Sequence, residues 1–189
     1  MVFIHITKTA GTSVARTLDC NRPQKDKIKK HHSAKEIAQL IGETKYHQAY
    51  KFCFVRNPWE RLLSYFRFKK KKTEHFDYYL YKPYDDFNDW FLSYEFDRAV
   101  SLDYHLKRTQ VDWITGPNGQ IEMDFIGRFE NLEEDFKTVC KRINVAEPQL
   151  LQLNKSTDEG HYRKIYSAES IKKAEEFYQR DIEYFGYTF

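Results

Sequence analysis

The chain has 189 residues, 31 of them Lys or Arg and 28 Asp or Glu, so its formal net charge is only +3. That length suits one domain, 1–189. The 7 Gly and 5 Pro exclude a collagen-like or low-complexity chain, and no apolar run approaches the roughly 18 residues of a membrane span. Phe, Trp and Tyr make up 17%, enough rings to build a core although 31% of residues are charged. The charge is uneven: residues 21–72 hold 15 bases and 4 acids, whereas 73–189 hold 14 bases and 23 acids. An anionic ligand near the first third is the expectation.

In chain order, Val2 to Ile6 reads as a buried strand. It follows Met1 directly, which predicts a chain without signal or transit peptide. Thr7-Lys8-Thr9-Ala10-Gly11-Thr12-Ser13 is a turn leading into a helix at Val14. Residues 20–30 read as a basic loop. Ser33 with Glu36 forms a capping box for a helix that Gly42 stops. Residues 50–55 form a second strand, broken at Arg56-Asn57-Pro58. Pro58 suits a helix start, and Trp59, Leu62, Leu63 and Phe66 follow helical spacing. A strand–loop–helix unit therefore occurs twice, which predicts a parallel α/β sheet.

Residues 73–84 read as loop and 85–108 as mostly helical. Residues 123–129 read as a third strand. Asn131 with Glu134 marks a helix through Ile143. Residues 144–166 are irregular, and Ser167 opens a long helix reaching Phe185. The three cysteines are an odd number without metal-like spacing, so no metal site is expected. Cys53 and Cys140 lie on apolar stretches and predict buried thiols and a cytoplasmic protein.

Two stretches carry chemistry. In the first, a small-residue turn between strand and helix points backbone N–H groups at an anion. Lys8 adds a charge, and Thr12 and Ser13 add hydroxyls. The pattern is not a Walker A loop, because the Lys precedes the Gly. In the second, Arg56 ends a strand at the sheet edge where α/β folds bind ligands. Its fork, with Ser64 two helical turns beyond Pro58, can clamp a second phosphate. Arg61 reads as a structural ion-pair residue. The run Lys69-Lys70-Lys71-Lys72 reads either as a helix end, where cations oppose the dipole, or as an anion patch.

These two stretches, with Asp124 to Leu132 and the closing helix carrying Tyr178, Asp181 and Phe185-Gly186-Tyr187, resemble the sulfotransferase family. The similarity is greatest to the branch with carbohydrate sulfotransferases and small bacterial members. The resemblance implies a three-layer P-loop-like fold with a central, mainly parallel sheet flanked by helices. It implies a donor, 3′-phosphoadenosine 5′-phosphosulfate (PAPS), with adenosine 3′,5′-bisphosphate (PAP) as product. The 5′-phosphosulfate maps onto Lys8, Thr9, Ala10, Gly11, Thr12 and Ser13, and the 3′-phosphate onto Arg56 and Ser64. A late loop maps onto Lys155 and Ser156.

The implied reaction moves a sulfuryl group to a hydroxyl or amine, with a carbohydrate as the leading acceptor class and no nucleic-acid partner. Lys8 would stabilise the leaving phosphate. A general base would be His31 or His32, since an imidazole ordinarily titrates near pH 6.5. The family often carries a Lys-His pair here, which fits Lys30-His31. His5 reads as a packed strand histidine. Two other classes stand beside this one. A P-loop nucleotide kinase would want an acid for Mg²⁺ where Arg56 stands. A non-catalytic module for anionic ligands would use only the basic third.

Overall fold

The computed structural model describes residues 1–19, 31–146, 149–150 and 162–189. Packing divides the chain into two compact units, Met1–Arg56 with Gln110–Lys155, and Asn57–Thr109 with Ser156–Phe189. The first unit opens with β1 (Val2–Ile4), α1 (Gly11–Thr17), α2 (Ala34–Ile41), α3 (Glu43–Gln48) and β2 (Lys51–Val55). The second unit continues with α4 (Pro58–Lys70), α5 (Phe87–Phe91), α6 (Tyr94–Leu102) and α7 (Tyr104–Lys107). The chain then supplies α8 (Gln110–Ile114), β3 (Phe125–Arg128) and α9 (Leu132–Arg142) to the first unit. It ends in the second with α10 (Tyr162–Ile165), α11 (Ala168–Phe177) and α12 (Gln179–Phe185).

In the first unit the three strands expected from the sequence form a small parallel sheet in the order β1-β2-β3. β1 and β2 are buried throughout, as the continuous apolar runs of a covered parallel strand require. The register places Ile4 beside Cys53 and Val55 beside Arg128. Asp124 pins it at the other end. Its carboxylate accepts from the Lys51 backbone N–H at 2.6 Å, while its own N–H donates to the Lys51 carbonyl at 2.9 Å.

Phe3, Phe52 and Phe54 pack with Val14 and Ala15 of α1 and Phe136, Val139 and Cys140 of α9. A Cβ on Gly127 would lie 2.6 Å from the Phe54 ring, so this close strand contact needs glycine. Cys53 and Cys140 are buried free thiols, and burial pushes the Cys53 thiol up. Ser33 and Glu36 form the expected reciprocal cap on α2. The cap expected at Asn131 does not form. Asn131 instead donates to Asp135, whose other carboxylate oxygen accepts from the Arg128 N–H at the end of β3.

In the second unit Asn57 caps α4 through the Trp59 and Glu60 N–H groups, with Pro58 at the first position. The helix expected over 85–108 is three short helices. Asp86 and Asp103 bond to the backbone N–H groups just beyond them, and Ser93 is extended. Such residues favour helix starts over helix interiors. The last helix likewise breaks at Tyr178. Rings fill this core: Phe66 stacks on Trp90 at 4.9 Å, and Phe91 meets Phe96 edge-on at 4.7 Å. Arg61 donates to the Arg108 carbonyl at 3.1 Å and lies over the Tyr178 ring, partners that differ from the ion pair expected. Among the described residues no helix is long and apolar enough to cross a membrane.

In the basic run at the end of α4, Lys69 is paired in the interior and Lys70 and Lys72 are paired at the surface. Lys69 is buried and pairs with Asp77 at 2.6 Å and Asp103 at 2.8 Å. Lys70 bonds the Tyr84 carbonyl and pairs with Asp85, and Lys72 pairs with Glu74. Burial acts to raise the Asp103 carboxyl, but hydrogen bonds from Lys69 and Tyr65 outweigh it and the pKa is lowered. A carboxylate lowered in the folded state stabilises the fold above its unfolded pKa, and that contribution is lost as pH falls through the lowered value. The melting temperature should therefore drop as pH falls below the ordinary Asp value of about 3.9. Asp103→Asn should be less stable at neutral pH and show a shallower drop in acid. An unchanged acid slope in that variant would clear Asp103 of this role.

Candidate functional site

Parallel pairing brings the carboxyl ends of β1, β2 and β3 to one sheet edge. There β1 leads into the loop 7–13, β2 into Arg56 and β3 into Phe129. Open α/β sheets bind ligands at that edge.

The loop is held in an unusual backbone shape. Lys8 has φ 67° and Ala10 has φ 61°, both left-handed without being glycine. Each such residue costs of the order of 1 kcal/mol or more, and such strain clusters at ligand sites. Alternating backbone handedness turns successive N–H groups toward one concavity, the geometry of an anion nest. The Ala10 carbonyl accepts from the Ser13 and Val14 N–H groups at 2.9 and 3.2 Å, closing the turn into α1. Thr9 is fully buried, and its hydroxyl donates to the Ile6 carbonyl at 3.0 Å. Its side chain therefore braces the loop, and the backbone N–H is what it can offer an anion. Lys8 and Thr12 are half-buried and Ser13 is buried.

Arg56 is only 4% exposed. Its guanidinium lies over the Phe129 ring, 3.9 Å from the centroid, and Nη1 donates to the Lys8 carbonyl at 3.3 Å. The peptide of Arg56 is clamped by Gln110. The side-chain amide accepts from the Arg56 N–H and donates to the Arg56 carbonyl, both at 2.8 Å. A buried side-chain amide here pairs with the backbone beyond β2 as a neighbouring strand would. The guanidinium is thus aimed by a ring beneath it and a fixed backbone behind it. Gln110 and Phe129 are supports of Arg56 that sequence reasoning did not single out. Phe129 lies inside the 124–132 segment that carries the family resemblance. Gln110 has no local signal, because its role is a contact 54 residues away.

His31 is half-buried, and its Nδ1 lies 3.0 Å from the His5 carbonyl oxygen. A carbonyl only accepts, so Nδ1 carries the hydrogen and a neutral His31 has its lone pair on Nε2. A general base needs that tautomer, with Nδ1 anchored and the lone pair on Nε2. His32, also half-buried, is the next residue in the chain.

Ser64 is half-buried on α4, in the second unit. Lys30, Lys155 and Ser156 fall outside the described residues. Among the described residues no three His, Cys, Asp or Glu side chains group as a metal site.

Comparison with known proteins adds the family. The family model described as "Sulfotransferase family" matches residues 1–188. A protein of Archaeoglobus fulgidus, itself described only as uncharacterized, is 30% identical over 131 residues, covering 68% of this chain and 95% of its own length. No solved structure matches the chain.

Proposed function

Because the chain belongs to the sulfotransferase family and is a transferase of that kind, we propose that it moves the sulfuryl group of PAPS to a hydroxyl or amine acceptor. The observation that carries this reading is the strained loop at residues 8–13 joined to the buried Arg56 through the Lys8 carbonyl. One strand edge so gathers a cradle for one phosphate group and a fork for another. The donor set fits the nucleotide: backbone N–H groups, an ammonium and a guanidinium suit phosphate oxygens.

Within that reading PAPS supplies an activated sulfuryl group, and the chain's own residues do the rest. Backbone N–H groups of Thr9 to Thr12, the hydroxyls of Thr12 and Ser13 and the Lys8 ammonium hold the 5′ end and neutralise charge growing on the leaving phosphate oxygen. Arg56 binds the 3′-phosphate. His31 Nε2 takes the proton that the acceptor hydroxyl loses. Lys155 and Ser156 join the nucleotide set on the family resemblance alone, Ser64 also on its spacing two helical turns beyond Pro58, and His32 stands as the neighbouring rival base. The finer fold, a three-layer P-loop-like arrangement, likewise rests on the family resemblance. The family match runs through both units, which supports reading 1–189 as one functional domain. A carbohydrate is the first acceptor class to screen, with phenols and amines beside it. The engaged Lys69, Lys70 and Lys72 weaken the case for a highly acidic one.

Calorimetry in EDTA tests the nucleotide assignment. PAP should bind tightly and ATP weakly. Arg56→Ala should weaken PAP by about 10- to 100-fold, the worth of hydrogen bonds to a charged group. Adenosine 5′-phosphate should lose far less. Loss of the bond to Lys8 affects both nucleotides alike, so the ratio of the two effects is the readout. Equal losses would remove Arg56 from the 3′-phosphate, and ATP binding restored only by Mg²⁺ would favour the kinase reading.

A further inference from the structure

His5 lies directly after β1 and is 3% exposed. Its ring stacks on Phe3, with centroids 5.6 Å apart and planes 21° from parallel. Its Cδ2–Nε2 edge lies against Gly11 of the loop. A Cβ there would sit 2.0 Å from Cδ2 and 2.3 Å from Nε2. Gly11 is thus glycine because an imidazole occupies the space of its side chain. The same ring meets the His31 ring at 4.4 Å between centroids, tilted 59°. The His5 carbonyl is also the group that holds His31 Nδ1. One residue therefore touches the anion loop with its ring edge and His31 with both its ring and its backbone.

Resting on the reading of His31 as the base, we propose that His5 is a positioning residue: its ring wedges between the loop at Gly11 and His31 and fixes the imidazole with Nδ1 anchored and the lone pair on Nε2. Two contacts are needed for this. A single hydrogen bond to the carbonyl leaves the His31 ring free to pivot about that bond, and the His5 ring blocks the pivot. Ordinary core packing asks only that the space be filled. The wedge instead links the loop at Gly11 to His31, which lies 26 positions from His5. Misplacing a reacting group by about 1 Å costs on the order of 100-fold in rate, so a loosened base should register in kcat.

The first test needs no substrate. Long-range ¹⁵N–¹H NMR of histidine-labelled apoprotein reads the tautomer of neutral His31. The Nδ1–H form should dominate in the wild type, and His5→Ala should shift the population toward Nε2–H, the form usual in water. His5→Phe, which keeps a flat ring, should preserve Nδ1–H.

The second test is a cycle read as conversion of PAPS to PAP with water or the best acceptor of the screen. His5→Ala should lower kcat about 10- to 100-fold with little change in PAP affinity. In a His31→Ala background it should cost nothing further. If His5→Ala does not fold by circular dichroism, His5→Leu carries both comparisons. An unchanged tautomer in His5→Ala, or the same kcat loss in both backgrounds, overturns the proposal while leaving His31 as base. Full turnover by His31→Ala overturns the base assignment itself, and the His5 proposal with it.

Discussion

His31→Ala should lower kcat by about 10²–10⁴-fold, the usual contribution of a positioned general base, while PAP binding stays close to wild type. The acceptor oxygen becomes a better nucleophile only as its proton leaves, and Nε2 of His31 is the nitrogen with a lone pair to take it once Nδ1 is committed to the His5 carbonyl. The pH profile should change with it. Below the range in which imidazole is neutral, Nε2 carries a proton and cannot accept another, so wild-type turnover falls in acid. The variant should lose that acid limb along with most of its rate. His32→Ala should leave rate and profile nearly unchanged. The reverse outcome, with His32 carrying the rate, would move the base by one residue.

Lys8→Ala should lower kcat by about 10²–10³-fold, the cost of removing one preorganised donor from a group that gains negative charge. That charge grows on the leaving phosphate oxygen as the sulfuryl group departs, so rate should suffer more than PAP affinity. Conformation must be separated from charge, because Lys8 stands at φ 67° and alanine there is no less strained. Lys8→Gly removes the ammonium and relaxes the backbone, since glycine adopts this conformation freely. Both variants should lose the same rate, and the glycine variant should melt higher than the alanine one. If Lys8→Gly kept wild-type turnover, the residue would matter only for the loop's shape.

Parts of the molecule are legible locally. The mostly apolar runs at 2–6 and 50–55 correspond to β1 and β2, because a strand covered on both faces needs no polar alternation, whereas β3, within 123–129, is only partly buried. Ser33 with Glu36 and Asn57 with Pro58 mark helix starts whose hydrogen bonds close within three residues. Local signals erred where polar residues compete with helix continuation. Asp86, Ser93 and Asp103 each open a new turn, so one expected helix became three. Asn131 stands at the N-cap position without a cap bond, its amide donating to Asp135 instead.

By itself, then, the amino-acid order determined the strands, the small-residue turn from Lys8 to Ser13, the place of Arg56 at the end of β2 and the family resemblance, because these rest on neighbours in the chain. Only tertiary structure decided how the site is supported. The Gln110 clamp, the Phe129 platform, the removal of Lys69 into a buried ion cluster, and the His5 wedge between Gly11 and His31 all depend on contacts between residues distant in sequence. Such contacts have no periodicity or fixed spacing, and the closing of the sheet and the packing of its helices create them.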